Sequence, residues 1–349
     1  MSLRARMAGA LHRIRAFDVA LRVRGSLGTP LLTTLTYHHV AEVTPGYLFD
    51  PGVADATPTQ FKHQVEALAR RCTVIDIDTL CKALDGGPLP KNPALITFDD
   101  GYRSCREVAV PILRAVGVPA TFFIATRFVQ ERKLYWWERI AHAIATRKRD
   151  RAAITYPTTR ELDLAAPNAL SDLLKLIKNT PGLDVGRVLD EVTRTADIEW
   201  SDAIERKLAD ELIMQWDDVR ALAAAGMDVE SHSRTHRVLQ TLAPSDLDAE
   251  LAGSRADLEA ALGRPVRAIA YPVGRSITRQ PHIRRALFRA GYRVGFTNAS
   301  GATLVWPGTD RFDVHRWAIE PAMSEAEFIG QTAVPAFGYT SAAHNAPAA

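Results

Sequence analysis

Residues 95–101, Leu-Ile-Thr-Phe-Asp-Asp-Gly, form a short apolar run that stops at two adjacent carboxylates and a glycine. A run of apolar and β-branched residues this short reads as a buried strand. Neighbouring side chains on an extended chain point to opposite faces, so Asp99 and Asp100 cannot both be plain solvated acids if that strand is buried. One could ligate a metal while the other handles a proton. On its own, Asp-Asp-Gly also reads as an acidic turn that caps the next helix. What decides between the two readings lies far downstream.

Working outward, strand and helix alternate on both sides. Upstream, Leu31-Leu32-Thr33-Thr34-Leu35-Thr36-Tyr37-His38-His39-Val40 is a β-branched strand with two histidines near its end, followed by a loop over 41–58, a helix from Thr59 with Phe61, Val65 and Leu68 on one face, and a strand over 73–77. Downstream, Val108, Ile112 and Val116 stripe a helix that Gly117 ends, and 119–125 is the next strand. This β-α-β pattern predicts an α/β sheet.

From 127 to 213 the pattern turns mostly helical, with Trp136-Trp137, the basic run Arg147-Lys148-Arg149, a hairpin near 153–164 and a helix carrying Leu173, Leu174 and Ile177. This reads as an insertion. The core resumes with a helix at Trp216, a strand over 227–231, the run His232-Ser233-Arg234-Thr235-His236, a helix opened by Ser245, and a strand over 266–271 leading into Pro272-Val273-Gly274-Arg275. Strands near 294–297 and 313–319 complete it. The expected division is 1–30 N-terminal helix, 31–126 and 214–337 core, 127–213 insertion, and 338–349 disordered tail.

The 349 residues, 47% hydrophobic, can bury a sizeable core. A formal charge of +3 spread along the chain makes no case for a nucleic-acid partner. Cys72, Cys81 and Cys105 are too few and too scattered for a disulfide framework. Residues 1–25 lack the uninterrupted apolar segment of a secretory signal, and no run is long enough to span a bilayer. In their place Leu3, Met7, Leu11, Ile14 and Leu21 recur at helical spacing among Arg4, Arg6, Arg13, Arg15, Arg22 and Arg24. A basic amphipathic helix of this kind docks on its own domain or rests on anionic lipid. The expected location is the cytoplasm, with peripheral contact at the inner membrane through residues 1–25.

His232 and His236, four apart, would share one face of a helical turn and could hold one ion. With a carboxylate from the Asp-Asp-Gly turn they leave open positions for water and a substrate oxygen, as catalytic zinc sites do. At this point the chain resembles the polysaccharide deacetylase family (NodB-like, carbohydrate esterase family four). Thr97-Phe98-Asp99-Asp100-Gly101 matches that family's first motif and Ser231-His232-Ser233-Arg234-Thr235-His236 its second. The resemblance implies a distorted (β/α) barrel of about seven strands, Asp99 as catalytic base, and Asp100, His232 and His236 as ligands of one divalent metal ion. Zinc is the expected ion, with cobalt, nickel or iron as alternatives.

The third motif departs from the common Arg-x-Pro-Tyr, since Ala270, Tyr271, Pro272 and Val273 stand there. A backbone donor at Val273 survives that change and remains a candidate for oxyanion stabilisation. Arg316 is the candidate replacement for the missing guanidinium. The Leu-x-His that supplies the general acid in the family has no clear copy near the C-terminus, whereas Leu35-Thr36-Tyr37-His38 lies on the first strand. His38 is therefore the expected acid, ahead of His39 and His315. This order resembles the poly-N-acetylglucosamine deacetylase branch.

Tyr271, Trp317 and His39 are candidate substrate contacts, and Trp136 and Trp137 candidate sugar platforms. The expected function is metal-dependent hydrolysis of the N-acetyl group of an amino sugar in a polysaccharide, an oligosaccharide or a lipid-linked saccharide. Two other readings are an amidohydrolase on small cyclic amides or imides, and an inert carbohydrate-binding descendant of the fold.

Overall fold

The computed structural model describes residues 3–334. Nine strands make the main sheet; setting aside the short Thr73–Val74 and Thr303–Leu304 leaves seven that run parallel around the core. They are β1 (Leu31–Tyr37), β2 (Pro93–Phe98), β3 (Thr121–Ile124), β4 (Asp228–Ser231), β5 (Ala268–Ala270), β6 (Val294–Phe296) and β7 (Trp317–Ala318). β1 to β6 pair in chain order, each with the next. β7 pairs with β1, and Val314 just before it bridges Phe296 of β6, so the sheet curls round until its ends share one segment. The result is a distorted (β/α) barrel.

Alternation along these strands sorts the core into two clusters. Leu95, Phe123, Ala268, Ala270, Phe296 and Val314 pack together inside the barrel, while Leu35, Ile96, Phe98, Phe122, Val229 and Ile269 face the surrounding helices. Phe98 stacks on Phe122 with ring centroids 4.8 Å apart. Each such fully buried ring stabilises the fold by about 1.5–3 kcal/mol.

Between β3 and β4 the chain leaves the barrel and forms the helices Thr126–Glu131, Trp136–Thr146, Ala169–Asn179, Val185–Thr195 and Asp202–Leu212, with a hairpin of Arg151–Ile154 and Arg160–Asp163. Its buried residues, among them Ile154, Leu173, Val188 and Val192, belong to the same cluster as the outer face of the barrel.

The N-terminus differs from the single helix expected. It folds as α1 (Leu3–Arg13) and α2 (Ala16–Ser26), broken at Arg15, whose φ of 57° is left-handed. The break separates the apolar positions. Phe17 and Leu21 are buried, whereas Met7 and Ile14 are 51% and 73% exposed. Arg24, read as part of a basic face, is buried and bonds Asn92 Oδ1 at 2.9 Å and the Thr332 carbonyl at 3.0 Å.

Three local expectations also change. The strand over 73–77 stops at Val74, because Asp76 accepts from the Thr79 N–H at 2.8 Å and caps the helix Ile77–Leu84. The helix assigned to start at Ser245 begins at Pro244 without a side-chain cap, since proline at the first turn fixes its own φ and needs no donor there. A helix not anticipated, Glu325–Ala333, is opened by a capping box of Ser324 and Glu327. The expected tail over 338–349 lies outside the described residues.

Candidate metal and catalytic site

β2 carries the Asp-Asp-Gly turn to the C-terminal end of the barrel. Asp99 continues the inward set begun by Leu95 and Thr97. Asp100 then takes a left-handed φ of 72°, and Gly101 follows at 105°. A side chain at Gly101 would have to adopt that disfavoured φ while meeting Ile124 Cδ1 at 3.4 Å. The strained turn is held from three sides. The Asp100 carbonyl accepts from Ala125 N–H at 3.1 Å and from the Tyr135 hydroxyl at 3.0 Å, and the Gly101 carbonyl accepts from Met214 N–H at 3.1 Å. Both carboxylates are buried.

His232 and His236 follow β4, and here the expected helical turn is absent. Residues 232–236 form a loop in which Ser233 (φ 62°) and His236 (φ 54°) are left-handed. The buried Glu250 secures this loop, accepting from the Arg234 and Thr235 N–H groups at 2.9 Å each and from the Thr235 hydroxyl. The two imidazoles converge by loop geometry rather than by helical spacing. His232 Nε2 lies 3.4 Å and His236 Nε2 3.3 Å from Asp100 Oδ1. Sequence reasoning missed Glu250, which lies on the helix Pro244–Leu262.

The donor atoms of Asp100, His232 and His236 lie within 4.8 Å of one another. His232 donates its Nδ1–H to the Ala270 carbonyl at 2.9 Å, which leaves Nε2 as a free lone pair facing the cluster. Burial holds the His232 pKa down to about 4 and pushes that of His236 well below the usual range, so both rings are neutral ligands. Asp100 Oδ1 is buried without a hydrogen-bond donor, and burial raises the carboxyl to about 7. An unsatisfied buried acceptor is costly, and a divalent cation at this point would satisfy it. The residues fit one such ion.

Asp99 is in a different electrostatic position. Arg316, itself fully buried, donates from both terminal nitrogens to its two oxygens at 2.8 Å, and from Nε to the Thr297 carbonyl at 3.2 Å. Burial works to raise the Asp99 pKa, but the guanidinium, the neighbouring histidines and these two hydrogen bonds outweigh it and hold the carboxyl below its ordinary value. The structure thus brings Arg316, from the segment ahead of β7, onto Asp99.

His38, just past β1, meets Asp55. Its Nδ1 lies 3.0 Å from Asp55 Oδ2, and its backbone N–H bonds the same oxygen. Burial opposes protonation of the ring, yet Asp55, Asp100 and Asp99 together raise its pKa to about 9. Asp55, in a stretch read as loop, is a site residue that the sequence gave no reason to single out.

The remaining candidates divide. Val273 sits in the turn Pro272–Gly274 with a left-handed φ of 63°. His39 is buried away from the cluster, its Nδ1 2.6 Å from Ser104 Oγ and its ring against Tyr102. Tyr271 is buried with its hydroxyl on the Phe312 carbonyl, Trp317 is buried on the outer side of the barrel wall, and neither offers a surface to substrate. His315 pairs with Asp313 at 3.4 Å. Trp137 packs its ring 4.5 Å from that of His236 and donates to the Tyr102 hydroxyl, so it buttresses the ligand loop.

Fold and site together define an α/β barrel with a three-residue cluster that fits a metal ion, and a clamped carboxylate, at its strand ends. A family model for polysaccharide deacetylases matches residues 86–175 and 190–295, and the chain belongs to that family. YxkH of Bacillus subtilis (strain 168), a protein named for the same family, is 29% identical over 112 residues, which are 32% of this chain and 38% of the relative's length. The chain therefore matches well under half of that curated relative.

Among solved structures, the fold is similar to the Streptococcus pyogenes deacetylase PplD in complex with acetate, with a TM-score of 0.58 and 18% identity over 88% of this chain and 100% of that one. It is also similar to a de-N-acetylase from Aggregatibacter actinomycetemcomitans, with a TM-score of 0.52 and 14% identity over 86% and 99%. IcaB from Ammonifex degensii gives a TM-score of 0.50 and 18% identity over 87% and 96%.

Proposed function

We propose that this protein hydrolyses the N-acetyl group of an amino sugar in a saccharide, with Asp99 as the base and His38 as the acid. The observation that carries the reading is the bidentate Arg316–Asp99 pair directly beside the Asp100, His232 and His236 cluster. A divalent ion held by those three ligands would act as a Lewis acid on the acyl oxygen and lower the pKa of water; zinc suits the donor set, as do cobalt, nickel and iron. Asp99 stays ionised under Arg316 and can take the proton of the attacking water. The Val273 N–H is the candidate donor to the tetrahedral oxyanion. His38, kept protonated by Asp55, can give its proton to the departing amine.

A histidine just past the first strand, placed to act as the acid, supports the poly-N-acetylglucosamine deacetylase branch. The test is acetate release from N-acetylglucosamine oligomers by metal-loaded protein, run beside hydrolysis of a cyclic imide. Acetate release with an inert imide is the expected result. Imide hydrolysis alone would move the assignment to a cyclic amidohydrolase, and neither activity would favour an inert carbohydrate-binding module.

Peripheral membrane contact is supported by the outer face of α2. Val19, Val23 and Leu27, at i, i+4 and i+8, are 54%, 52% and 75% exposed, with Arg15 and Arg22 exposed alongside. Apolar positions flanked by arginine suit an anionic lipid surface. No helix among the described residues is long and apolar enough to cross a membrane.

A further inference from the structure

The strand-end site leaves one neighbouring feature without a role. Beside His236 lies a small cleft walled on one side by the insertion helix Ala169–Asn179, with Trp136, Ile177, Lys178, Arg237 and Val238 among its lining. Lys178 is half-buried and makes no hydrogen bond or ion pair with any described residue. Two further cations lie near it. Arg237 has Asp246 at 3.3 Å, and Arg275 reaches over from the loop after Val273 to the Asn179 side chain, close enough for its charge to bear on Lys178.

The acids whose fields reach Lys178 are Asp50 and Asp100. Asp50 is engaged by the Gly52 N–H at 2.8 Å, and Asp100 belongs to the metal cluster. A partly desolvated ammonium whose nearest acids lie beyond hydrogen-bond reach and are engaged elsewhere gains from an anionic ligand. Trp136 and Ile177 give the same cleft an apolar wall suited to a pyranose face.

We propose that this cleft binds an oxyanion, phosphate or carboxylate, carried on the saccharide next to the acetylated sugar, with Lys178 as its main contact and Arg237 and Arg275 flanking it. The inference rests on the deacetylase reading above and narrows its substrate class to anionic saccharides. Because the cleft adjoins His236, the anion would anchor the chain while the acetyl group lies over the three ligands.

The test compares metal-loaded full-length protein on neutral N-acetylglucosamine oligomers, on oligomers bearing a phosphate, and on oligomers bearing a uronic acid. The parent is expected to favour an anionic substrate in kcat/KM by about tenfold or more, the scale of one charge-assisted contact. Whichever anionic arm is preferred identifies the source of the oxyanion. Lys178→Gln should erase the preference through KM, and Lys178→Arg should restore most of it. Lys175→Gln, on the exposed side of the same helix, should change nothing.

A parent without preference, or a preference untouched by Lys178→Gln, overturns the proposal. Calorimetric titration of inorganic phosphate and glucuronate separates this from failure of the deacetylase reading. If no saccharide is hydrolysed, anion binding that weakens about tenfold in Lys178→Gln still supports the cleft, and no binding to the parent rejects it.

Discussion

The barrel mouth and the insertion that flanks it are built on opposite principles. At the mouth nearly every polar atom is spoken for: Arg316 fills both oxygens of Asp99, Ala270 fixes His232, Asp55 fixes His38, and Glu250 ties down the ligand loop. Asp100 Oδ1 and His236 Nδ1 are exceptions, and the Asp100 oxygen points at the cluster. The insertion wall packs apolar residues into the common core and brings up a lysine with no hydrogen-bond partner among the described residues. Saturated hydrogen bonding holds reacting groups in one geometry, while an unsatisfied cation is free to answer to a ligand. The mouth is thus shaped for chemistry, the wall for selection.

The contrast can be attacked at its strongest point first. Asp100→Ala removes the only carboxylate of the ligand set, so bound metal should fall below stoichiometry and acetate release should drop by about a thousandfold or more, in line with losing the metal's contribution. Metal analysis alongside the assay checks it, and full metal retention would show that the ion sits elsewhere. Next comes Arg316→Met. It leaves Asp99 buried and unpaired, which should destabilise the fold by about 3–5 kcal/mol in denaturant titrations and abolish turnover. Arg316→Lys should recover only part of either, because an ammonium cannot make the two-pronged contact.

Asp55→Asn tests the proposed acid. In the proposed role His38 acts when protonated, so its contribution would be present below its pKa of about 9 and lost as pH rises through that value. Removing the Asp55 charge should move the alkaline limb of the rate profile downward and lower kcat by about a hundredfold, typical of a disabled general acid. An alkaline limb that stays in place would assign the proton to another group. A smaller effect is expected at Tyr135, in the insertion. Tyr135→Phe deletes one hydrogen bond to the Asp100 carbonyl and should cost about 1 kcal/mol of stability with turnover largely kept. A large loss of activity there would mean that the insertion shapes the chemistry as well, and the division drawn above would fail.

On the outer surface, replacing Val19, Val23 and Leu27 by Ser should leave thermal stability nearly unchanged while reducing co-sedimentation with anionic vesicles. Removing residues 1–25 outright would confuse the issue, since Phe17, Leu21 and Arg24 are part of the folded core.

Much of this was legible in the chain because it depends on local pattern. Alternating strands and helices gave the α/β class, and Thr97-Phe98-Asp99-Asp100-Gly101 with Ser231-His232-Ser233-Arg234-Thr235-His236 gave the four residues at the centre of the site. A buried strand that ends in two acids leaves few structural explanations, and that is readable in one dimension. The conformations of the ligand loops were not, because left-handed φ values at Asp100, Ser233 and His236 persist only where the surrounding contacts enforce them.

The rest depended on which distant segments the barrel brings together. Arg316 reaches Asp99 because the last strand closes against the first, and Asp55 reaches His38 because the short strands Ala54–Ala56 and His39–Val40 pair. Glu250 and Lys178 arrive from helices whose own sequence says only that one face is apolar. Periodicity tells which face of an element is buried, but a hydrogen bond or a missing counter-ion belongs to two elements at once. So the sequence alone determined the class of fold and singled out the three residues that fit a metal ion and the carboxylate proposed as base. Closure of the barrel, and the packing of the insertion against its mouth, decided which groups hold them and which cation stays unpaired.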